Sequence, residues 1–413
     1  MKNIIDELYP MNRCLLGEGY DNALIWLRHL LPFEVLEFPS GIKLGTWTVP
    51  DEWVVRDAWV KFNGEKILDY KTQPLSLVVG SLPFHGEVDL SGLKQHLYSS
   101  EDRKNDTPYI FKYYEKDWGL CIPKSTPLYE GIYEVFIDTE YRPGVMKVGV
   151  HTIQGKLDKE ILLLAHLDHP YQANDNLSGV ACLVDLVTRL KSDYTIKLII
   201  CPETIGSIAY ALTQDTSKVE FAISVDICGN KNPVLVNKSF NQEHKINRIA
   251  HLALHKLGEG HRKGTFRSLI GSDEGVFNDP DIGIAGIMLS TFPFPEYHTA
   301  SDTPDKIDYE QISKVQDVVS HIIYIWEKDF IPKKHFKGFL MRSKYGIQTE
   351  NKQTNMAWDY LIFAIDGKRT LAELCCEYGL DFYTVYDVML QLENEKLISR
   401  VNTRQKSVKK TTK

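Results

Sequence analysis

The sequence of 413 residues predicts an α/β fold, in which helices flank a mostly parallel sheet. From Gly131 to about Trp326, short apolar runs alternate with segments of helical period, as is typical of parallel sheets with helical crossovers. The run Ile161–Ala165 is apolar at every position, which fits a strand buried on both faces, although a short buried helix has the same pattern. A tryptophan-rich segment and a compact helical segment predict two smaller modules beside this sheet.

The predicted elements of the main domain, residues 1–43 and 123–335, begin with a helix over Tyr20–Leu31 and a strand over Glu34–Phe38. The later strands are predicted at Tyr133–Ile137, Lys147–Thr152, Ile161–Ala165, Ile196–Ile200, Phe221–Val225, Val234–Val236 and Ile284–Leu289. The helices between them are predicted at Ser178–Leu190, Ser207–Leu212, Lys245–Leu257 and Tyr309–Trp326.

Residues 44–122 carry four of the seven tryptophans, at Trp47, Trp53, Trp59 and Trp118. The pair Asn63-Gly64 between two strand-like runs is a typical two-residue hairpin signal. We therefore expect a small β-rich inserted domain over 44–122 that lies near the site mouth and limits substrate size. The alternative is an irregular edge of the main domain.

Three predicted helices, Trp358–Ile365, Leu371–Tyr378 and Phe382–Glu393, followed by a wing strand at Leu397–Val401, indicate a winged-helix-like domain over 345–403. A polar linker, Lys344–Thr354, precedes these helices, and the basic tail 404–413 is expected to be disordered. Residues 358–400 contain eight acidic and four basic side chains. Because phosphate contacts need Lys and Arg, this balance favours a protein-interaction or packing role over specific DNA binding.

The composition gives no support for nucleic-acid or anionic-membrane binding, since the formal net charge is −7. The seven cysteines form no CxxC pair, as expected for reduced thiols. We find neither a signal peptide nor an apolar run of about 18 residues, so we expect a cytoplasmic protein outside the membrane. The oligomeric state stays open, with a homo-oligomer among the alternatives.

Residues that can bind a metal follow several of the predicted strands. His166 and Asp168 follow the first buried run, and Glu203, Asp226 and His298 follow later strands. Each acid alone has a structural explanation, such as a helix N-terminus or a turn. Because ligands of α/β sheets bind at the carboxyl ends of strands, the series predicts convergence at one site. Imidazole and carboxylate are ligands that zinc accepts.

These motifs, in this order, resemble the M28 family of zinc aminopeptidases. They are His166-x-Asp168, Asp175-Asn176 with Gly179, Glu203 before Gly206-Ser207, Ser224-Val-Asp226, Ser272-Asp273, Tyr297-His298-Thr299 and Asp302-Thr-Pro-Asp. The similarity covers nearly the whole chain and is greater to a branch with a small inserted domain and a C-terminal winged helix.

The resemblance implies a centre of one or two zinc ions. His166 and Asp226 would hold one ion, and Asp175 would bridge to a second, held by His298 and an acid of the Glu203 region. It also implies that Asp168 fixes the imidazole of His166, as ligating histidines usually require. Asp273 would have a similar orienting role.

The stretch Cys201-Pro202-Glu203-Thr204 departs from the family pattern, which has two adjacent glutamates, a general base followed by a zinc ligand. Glu203 is therefore either the ligand or the base. His169 and Glu274 are alternative bases, and we interpret His169 as a surface histidine or one that orients a ligand.

The function implied by this resemblance is metal-dependent hydrolysis of an amide bond in a small peptide or an N-acyl amine, most simply an aminopeptidase-type reaction using metal-activated water. Two alternatives remain open at this point. One is a catalytically degenerate peptidase fold kept for binding, and the other is a deacylase of a small N-acyl conjugate.

Overall fold

A computed structural model describes residues 1–258, 260–346 and 352–401 of the chain. The chain divides into two units. The first comprises Met1–Gln242 and Arg262–Gln316, and the second comprises Glu243–His261 and the described residues from Asp317 onward.

The strands, numbered along the chain, are β1 (Glu34–Pro39), β2 (Lys43–Leu44), β3 (Trp47–Thr48), β4 (Glu52–Phe62), β5 (Glu65–Asp69), β6 (Phe84–Asp89), β7 (Leu97–Tyr98), β8 (Leu120–Cys121), β9 (Ile132–Arg142), β10 (Val145–Ile153), β11 (Glu160–His166), β12 (Thr195–Cys201), β13 (Val219–Val225), β14 (Leu235–Asn237), β15 (Arg262–Gly264), β16 (Gly286–Ser290), β17 (Pro332–Lys334) and β18 (Ile398–Arg400). The α-helices are α1 (Lys2–Leu8), α2 (Glu18–Arg28), α3 (Leu90–Lys94), α4 (Gly179–Val187), α5 (Ile205–Thr213), α6 (Lys245–His255), α7 (Glu274–Phe277), α8 (Tyr309–Lys328), α9 (Lys352–Ala364), α10 (Leu371–Tyr378) and α11 (Phe382–Asn394).

The main sheet of the first unit has eight strands among the described residues, in the order β1, β10, β12, β11, β13, β16, β14, β15. Its central strands β12, β11, β13 and β16 run parallel, while β10 and β14 are antiparallel to their central neighbours. The predicted run Ile161–Ala165 is a strand and is fully buried. This arrangement, with helices such as α4 and α5 in the connections, confirms the predicted α/β fold.

A second, antiparallel sheet contains β5, β4, β9 and β6 in that order. None of the residues 44–122, all of which the structure describes, pairs with the main sheet. The prediction for Tyr133–Ile137 is wrong in one respect: this strand, part of β9, pairs with β4 and β6 and not with the main sheet. Its buried positions alternate with more exposed ones, as in a sheet with one face against a core.

The described part of the second unit contains α6, the part of α8 from Asp317 onward, the helices α9, α10 and α11, and a short ribbon. In the ribbon, β17 pairs with β18 in antiparallel register, so the predicted wing strand has its partner at Pro332–Lys334. Helix α9 begins at Lys352, within the predicted linker, whose residues 347–351 lie outside the described ranges. The predicted tail 404–413 also lies outside them. The winged-helix assignment itself stays a prediction.

A search of the described residues finds no helix with the length and apolar character needed to cross a membrane.

Candidate metal centre

The carboxylate of Asp175 lies at the centre of three imidazoles. Its Oδ1 is 3.0 Å from His166 Nε2 and 2.9 Å from His169 Nδ1. Its Oδ2 is 3.0 Å from His298 Nε2. Asp175 is buried and belongs to a π-helical turn, Asn174–Ser178, that leads into α4. One short side chain therefore links three separate segments of the chain.

Two further carboxylates complete the cluster. Asp226 is buried, and its Oδ1 lies 3.8 Å from His166 Nε2 with no hydrogen-bond partner among the described residues. The side chain of Glu203 receives a hydrogen bond at Oε1 from Ser272 Oγ, at 3.1 Å, and its Oε2 lies 3.5 Å from His169 Nε2. An unpaired carboxylate oxygen in a buried site is costly unless a cation or proton meets it.

The topology explains why residues so distant in sequence meet here. The parallel strands β11, β12, β13 and β16 end side by side at the same edge of the sheet. His166 is the last residue of β11, and Asp226 directly follows β13. Glu203 comes two residues after β12, and His298 lies in the segment that follows β16. The site thus occupies the carboxyl edge that the sequence predicted.

Asp302 fixes the turn that carries Asp175. Its two carboxylate oxygens accept backbone hydrogen bonds from Asn174, at 2.8 Å, and from Asp175, at 3.0 Å. Burial raises the pKa of Asp302 to about 7, against the effect of these donors. By accepting these two N–H groups, the carboxylate of Asp302 holds the backbone on which Asp175 lies.

Arg13 supports the loop between β11 and that turn. Its buried guanidinium donates to the carbonyl oxygens of Leu167, His169 and Gln172 at distances of 3.0, 2.8 and 3.0 Å. Arg13 thus supplies the hydrogen-bond donors that buried backbone carbonyl oxygens require.

The structure places Asp168 differently from its predicted position against His166. Asp168 Oδ1 accepts a hydrogen bond from the backbone N–H of Glu203, at 2.8 Å. His166 Nδ1 faces Ser272 Oγ, at 3.4 Å, and Asp273 Oδ2, at 3.8 Å. The reason is that β11 ends at His166, so the two-residue spacing no longer implies a common direction. Asp168 therefore positions the segment of Glu203. The orienting role of Asp273 stays a prediction, since its Oδ2 lies 3.8 Å from His166 Nδ1.

The two alternative bases have different surroundings. His169 is buried, which excludes the surface interpretation, and its imidazole lies between the carboxylates of Asp175 and Glu203. Glu274 is also buried, but its Oε2 accepts the backbone N–H of Ser272, at 2.9 Å, and burial raises its pKa to about 7. The spacing His166-x-x-His169, in a loop after a strand, was the sequence signal that could have placed His169 in the site.

The charges in this cluster compensate one another incompletely. Burial opposes protonation of His166, yet Asp226 and Glu203 raise its pKa well above the ordinary value. Burial would raise the pKa of Glu203, yet the imidazoles of His166 and His169 lower it to about 2. Burial raises the pKa of Asp226 well above its ordinary value, and the carboxylates of Asp175 and Glu203 raise it further. Added positive charge would satisfy this excess of buried carboxylates.

The donor geometry fits a transition metal. In each of two groups, His166 with His169 and Asp175, and His166 with Glu203 and Asp226, one donor atom from every residue lies within 4.8 Å of the others. The 2.9–3.8 Å separations given above bracket the roughly 3.3 Å expected between two ligands of tetrahedral zinc. The resemblance implied Glu203 beside His298, but the structure places Glu203 with His166 and Asp226, while His298 contacts Asp175.

A segment of the predicted insert borders the site. The backbone N–H of Tyr109 donates to the carbonyl of His298 at 2.8 Å, and the Tyr109 ring lies 5.2 Å from the His298 ring. Phe111, which is 42% exposed, has its ring 6.5 Å from that of His298 and is stacked on Tyr113. This segment gives the site an aromatic wall that the sequence had indicated only as a nearby domain.

Comparisons with known proteins agree with this description. A Clostridium acetobutylicum protein, provisionally named a polysaccharide biosynthesis protein with an aminopeptidase-like domain, is 29% identical over 96% of each chain. A crystal structure from the same organism, provisionally called a peptidase, has a TM-score of 0.86 at 28% identity, covering 97% of this chain and 96% of that one.

More distant structures show the same fold. The Bacillus subtilis zinc aminopeptidase BSAP has a TM-score of 0.58 at 16% identity and covers 78% of this chain and 93% of its own. A peptidase M28 precursor from Shewanella amazonensis has the same TM-score and identity and covers 78% and 92%. Residues 2–329 match the family described as Domain of unknown function DUF4910. The chain therefore belongs to the DUF4910 family and has an aminopeptidase-like fold.

Proposed function

We propose that this protein is a metal-dependent hydrolase that cleaves an amide bond, with an aminopeptidase-type reaction as the first candidate. The observation that carries the proposal is the carboxylate of Asp175 between three imidazoles, with an unpaired oxygen of Asp226 beside them. The likeness to a zinc aminopeptidase of Bacillus subtilis supports the fold on which such a site is built.

In this proposal His166, Asp175, Asp226, His298 and Glu203 hold one or two zinc ions. Bound zinc supplies Lewis acidity, which polarises a carbonyl group and brings the pKa of water down to about 7. Asp302 and Arg13 keep the ligand loop in place, and Asp168 holds the backbone of Glu203.

Proton transfer falls to one of two side chains that the structure places together. Glu203 and His169 lie 3.5 Å apart, so either can hold a proton while the other compensates its charge. We assign the ligand role to Glu203, which leaves His169 as the proton acceptor. General base catalysis contributes about 10²–10⁴-fold to such reactions, so a site with one glutamate in this stretch remains capable of turnover.

A deacylase of a small N-acyl conjugate is the second candidate. The name of the Clostridium acetobutylicum relative, which refers to polysaccharide biosynthesis, favours an acylated amino sugar as such a substrate. The chemistry at the carbonyl is the same, and only the groups on either side of the amide differ.

A binding protein that has lost catalysis is the third candidate. Pro202 precedes Glu203 at the position where the M28 pattern has the glutamate that acts as general base, and the absence of that glutamate favours a binding protein. Turnover distinguishes the two enzymes from the binding protein, and the substrate that is cleaved distinguishes the two enzymes from each other.

The experiment is a hydrolysis screen of zinc-loaded protein against aminoacyl amides and N-acyl amino sugars. We expect turnover on one class, loss after chelation and recovery when zinc is restored. Stoichiometric zinc with no turnover on either class of substrate would contradict the proposed enzymatic function and support the binding protein.

A further inference from the structure

Three histidines within eleven residues form a second cluster, at the end of α6 in the second unit. His251 and His255 lie one helical turn apart, and their Nε2 atoms are 3.2 Å from each other. His261 follows the turn after α6, and its ring lies 5.4 Å from the ring of His255. None of these residues takes part in the centre around Asp175.

The arrangement of the first two imidazoles has the geometry of a chelate. Residues four apart on a helix share one face, and two histidines at this spacing are a known way to bind zinc. Two nitrogen ligands of one tetrahedral zinc ion are separated by roughly 3.3 Å. The Nε2 atoms of His251 and His255 already have nearly this separation, so binding requires little movement.

The third imidazole presents the correct nitrogen. His261 Nδ1 lies 3.0 Å from the carbonyl oxygen of Gly258. A carbonyl accepts only, so Nδ1 carries the proton and Nε2 keeps its lone pair. Metal-ligating histidines are commonly oriented by such a hydrogen bond from the other ring nitrogen.

The pair also faces a cavity that can admit an ion with its water. The cavity has a volume of about 270 Å³ and is lined by His251, His255, Cys376, Asp381 and Tyr383. Asp381 Oδ2 accepts hydrogen bonds from the backbone N–H and the hydroxyl group of Thr384, each at 2.9 Å. A thiol and a carboxylate at the rim are also groups that zinc tolerates.

We propose that His251, His255 and His261 form a second transition-metal site, separate from the proposed hydrolase centre, that takes zinc and takes copper(II) more tightly. Imidazole donors suit both ions, and copper(II) exceeds zinc in the general order of affinity. The ion would join the last turn of α6 to the segment that follows it.

The test is zinc titration of the full-length protein by calorimetry after the first centre has been loaded and excess zinc removed. We expect one further equivalent in the wild type and its loss in His251→Gln/His255→Gln. His261→Gln alone removes one of the three proposed ligands and should weaken this step by at least about tenfold, since the loss of a group that only supports a metal ligand already costs that much. A control, His29→Gln, changes an exposed histidine at the end of α2 and should bind as the wild type does.

Unchanged stoichiometry in the double variant, or unchanged affinity in His261→Gln, would overturn this site. The single variant lies outside the helix, so it keeps the test valid if the double variant does not fold. Copper(II) titration with spectroscopic detection of nitrogen ligands gives a second readout that does not depend on hydrolysis.

Discussion

At the scale of single residues, the account depends on the position of Asp175. Its two oxygens reach imidazoles from the loop after β11, from β11 itself and from the segment after β16. The ordered motifs of the sequence indicated Asp175, His166 and His298, although only His166 lies at the end of a strand. His169 was named only as an alternative base, and the contacts of Asp168 were not predictable, because they depend on how the loop after His166 turns.

Asp302→Asn tests whether the support of this turn matters for metal binding. The carboxylate accepts the N–H groups of both Asn174 and Asp175, whereas an amide has one accepting oxygen and would present N–H to the other. We expect zinc affinity to fall by about 10–100-fold, as for other groups that support a ligand. Asp305→Asn is the matched control, since that exposed carboxylate lies in the same segment and accepts a hydrogen bond from the hydroxyl group of Thr303. Equal zinc affinity in the two variants would contradict the role of Asp302.

Glu203→Gln separates the two roles of this acid. The variant keeps size and hydrogen bonding but removes the charge, and amide oxygen is a poorer zinc donor than carboxylate. We expect loss or weaker binding of zinc, because Glu203 lies with His166 and Asp226 in one donor group. Full zinc content with a rate lower by about 10²–10⁴-fold would assign Glu203 as the base instead. Unchanged zinc content and an unchanged rate would show that Glu203 has neither role. The control is Glu130→Gln, which changes an exposed glutamate.

At the scale of elements, seven of the eight described strands of the main sheet were predicted, and the short edge strand β15 was not. The limits of the small sheet were not predicted either. A run such as Ile161–Ala165 is apolar throughout because both of its faces are buried. The strand β9 has a buried and a more exposed face, and this pattern alone does not say which sheet it joins. Its partners β4 and β6 lie far away in the sequence, so the choice depends on tertiary pairing.

Phe111→Ala tests the aromatic wall. The exposed ring near His298 can contact the part of a substrate next to the scissile amide. Loss of such a contact costs about 1 kcal/mol, which corresponds to a rise in KM of roughly fivefold with kcat nearly unchanged. Tyr129→Ala removes another exposed aromatic ring and should leave KM as in the wild type. Identical KM values for all three proteins on every substrate cleaved would exclude Phe111 from the site.

At the scale of the whole molecule, the C-terminal helices have contacts that the sequence did not predict. The wing strand pairs with Pro332–Lys334, and the backbone N–H of Leu371 donates to the carbonyl of Phe330 at 3.0 Å. The segment that follows α8 therefore belongs to the same unit as α10 and α11. A fragment beginning at Trp358 would lack these partners, so the role of the module is best tested in the full chain.

We expect the full chain to show no sequence-specific binding to duplex DNA. Helix α11 carries Asp387 and Glu393 and no Lys or Arg, so it has no cationic side chain for phosphate contacts. Band-shift assays with the full chain and with a chain ending at Thr403 would separate any weak non-specific contribution of the basic tail. A salt-sensitive, sequence-dependent shift at nanomolar protein would overturn this expectation.

The measurement that tests the central claim most directly is the metal content of His166→Ala/His298→Ala beside the wild type. These imidazoles contact opposite oxygens of Asp175, so their joint removal should empty the centre while circular dichroism shows the fold retained. We expect the wild type to hold one or two equivalents of zinc at this centre and the double variant to hold none there. Both proteins should also carry His251→Gln and His255→Gln, so that the second histidine cluster does not contribute zinc to the measurement. Full zinc content in a folded double variant would contradict the assignment of this cluster as a metal centre.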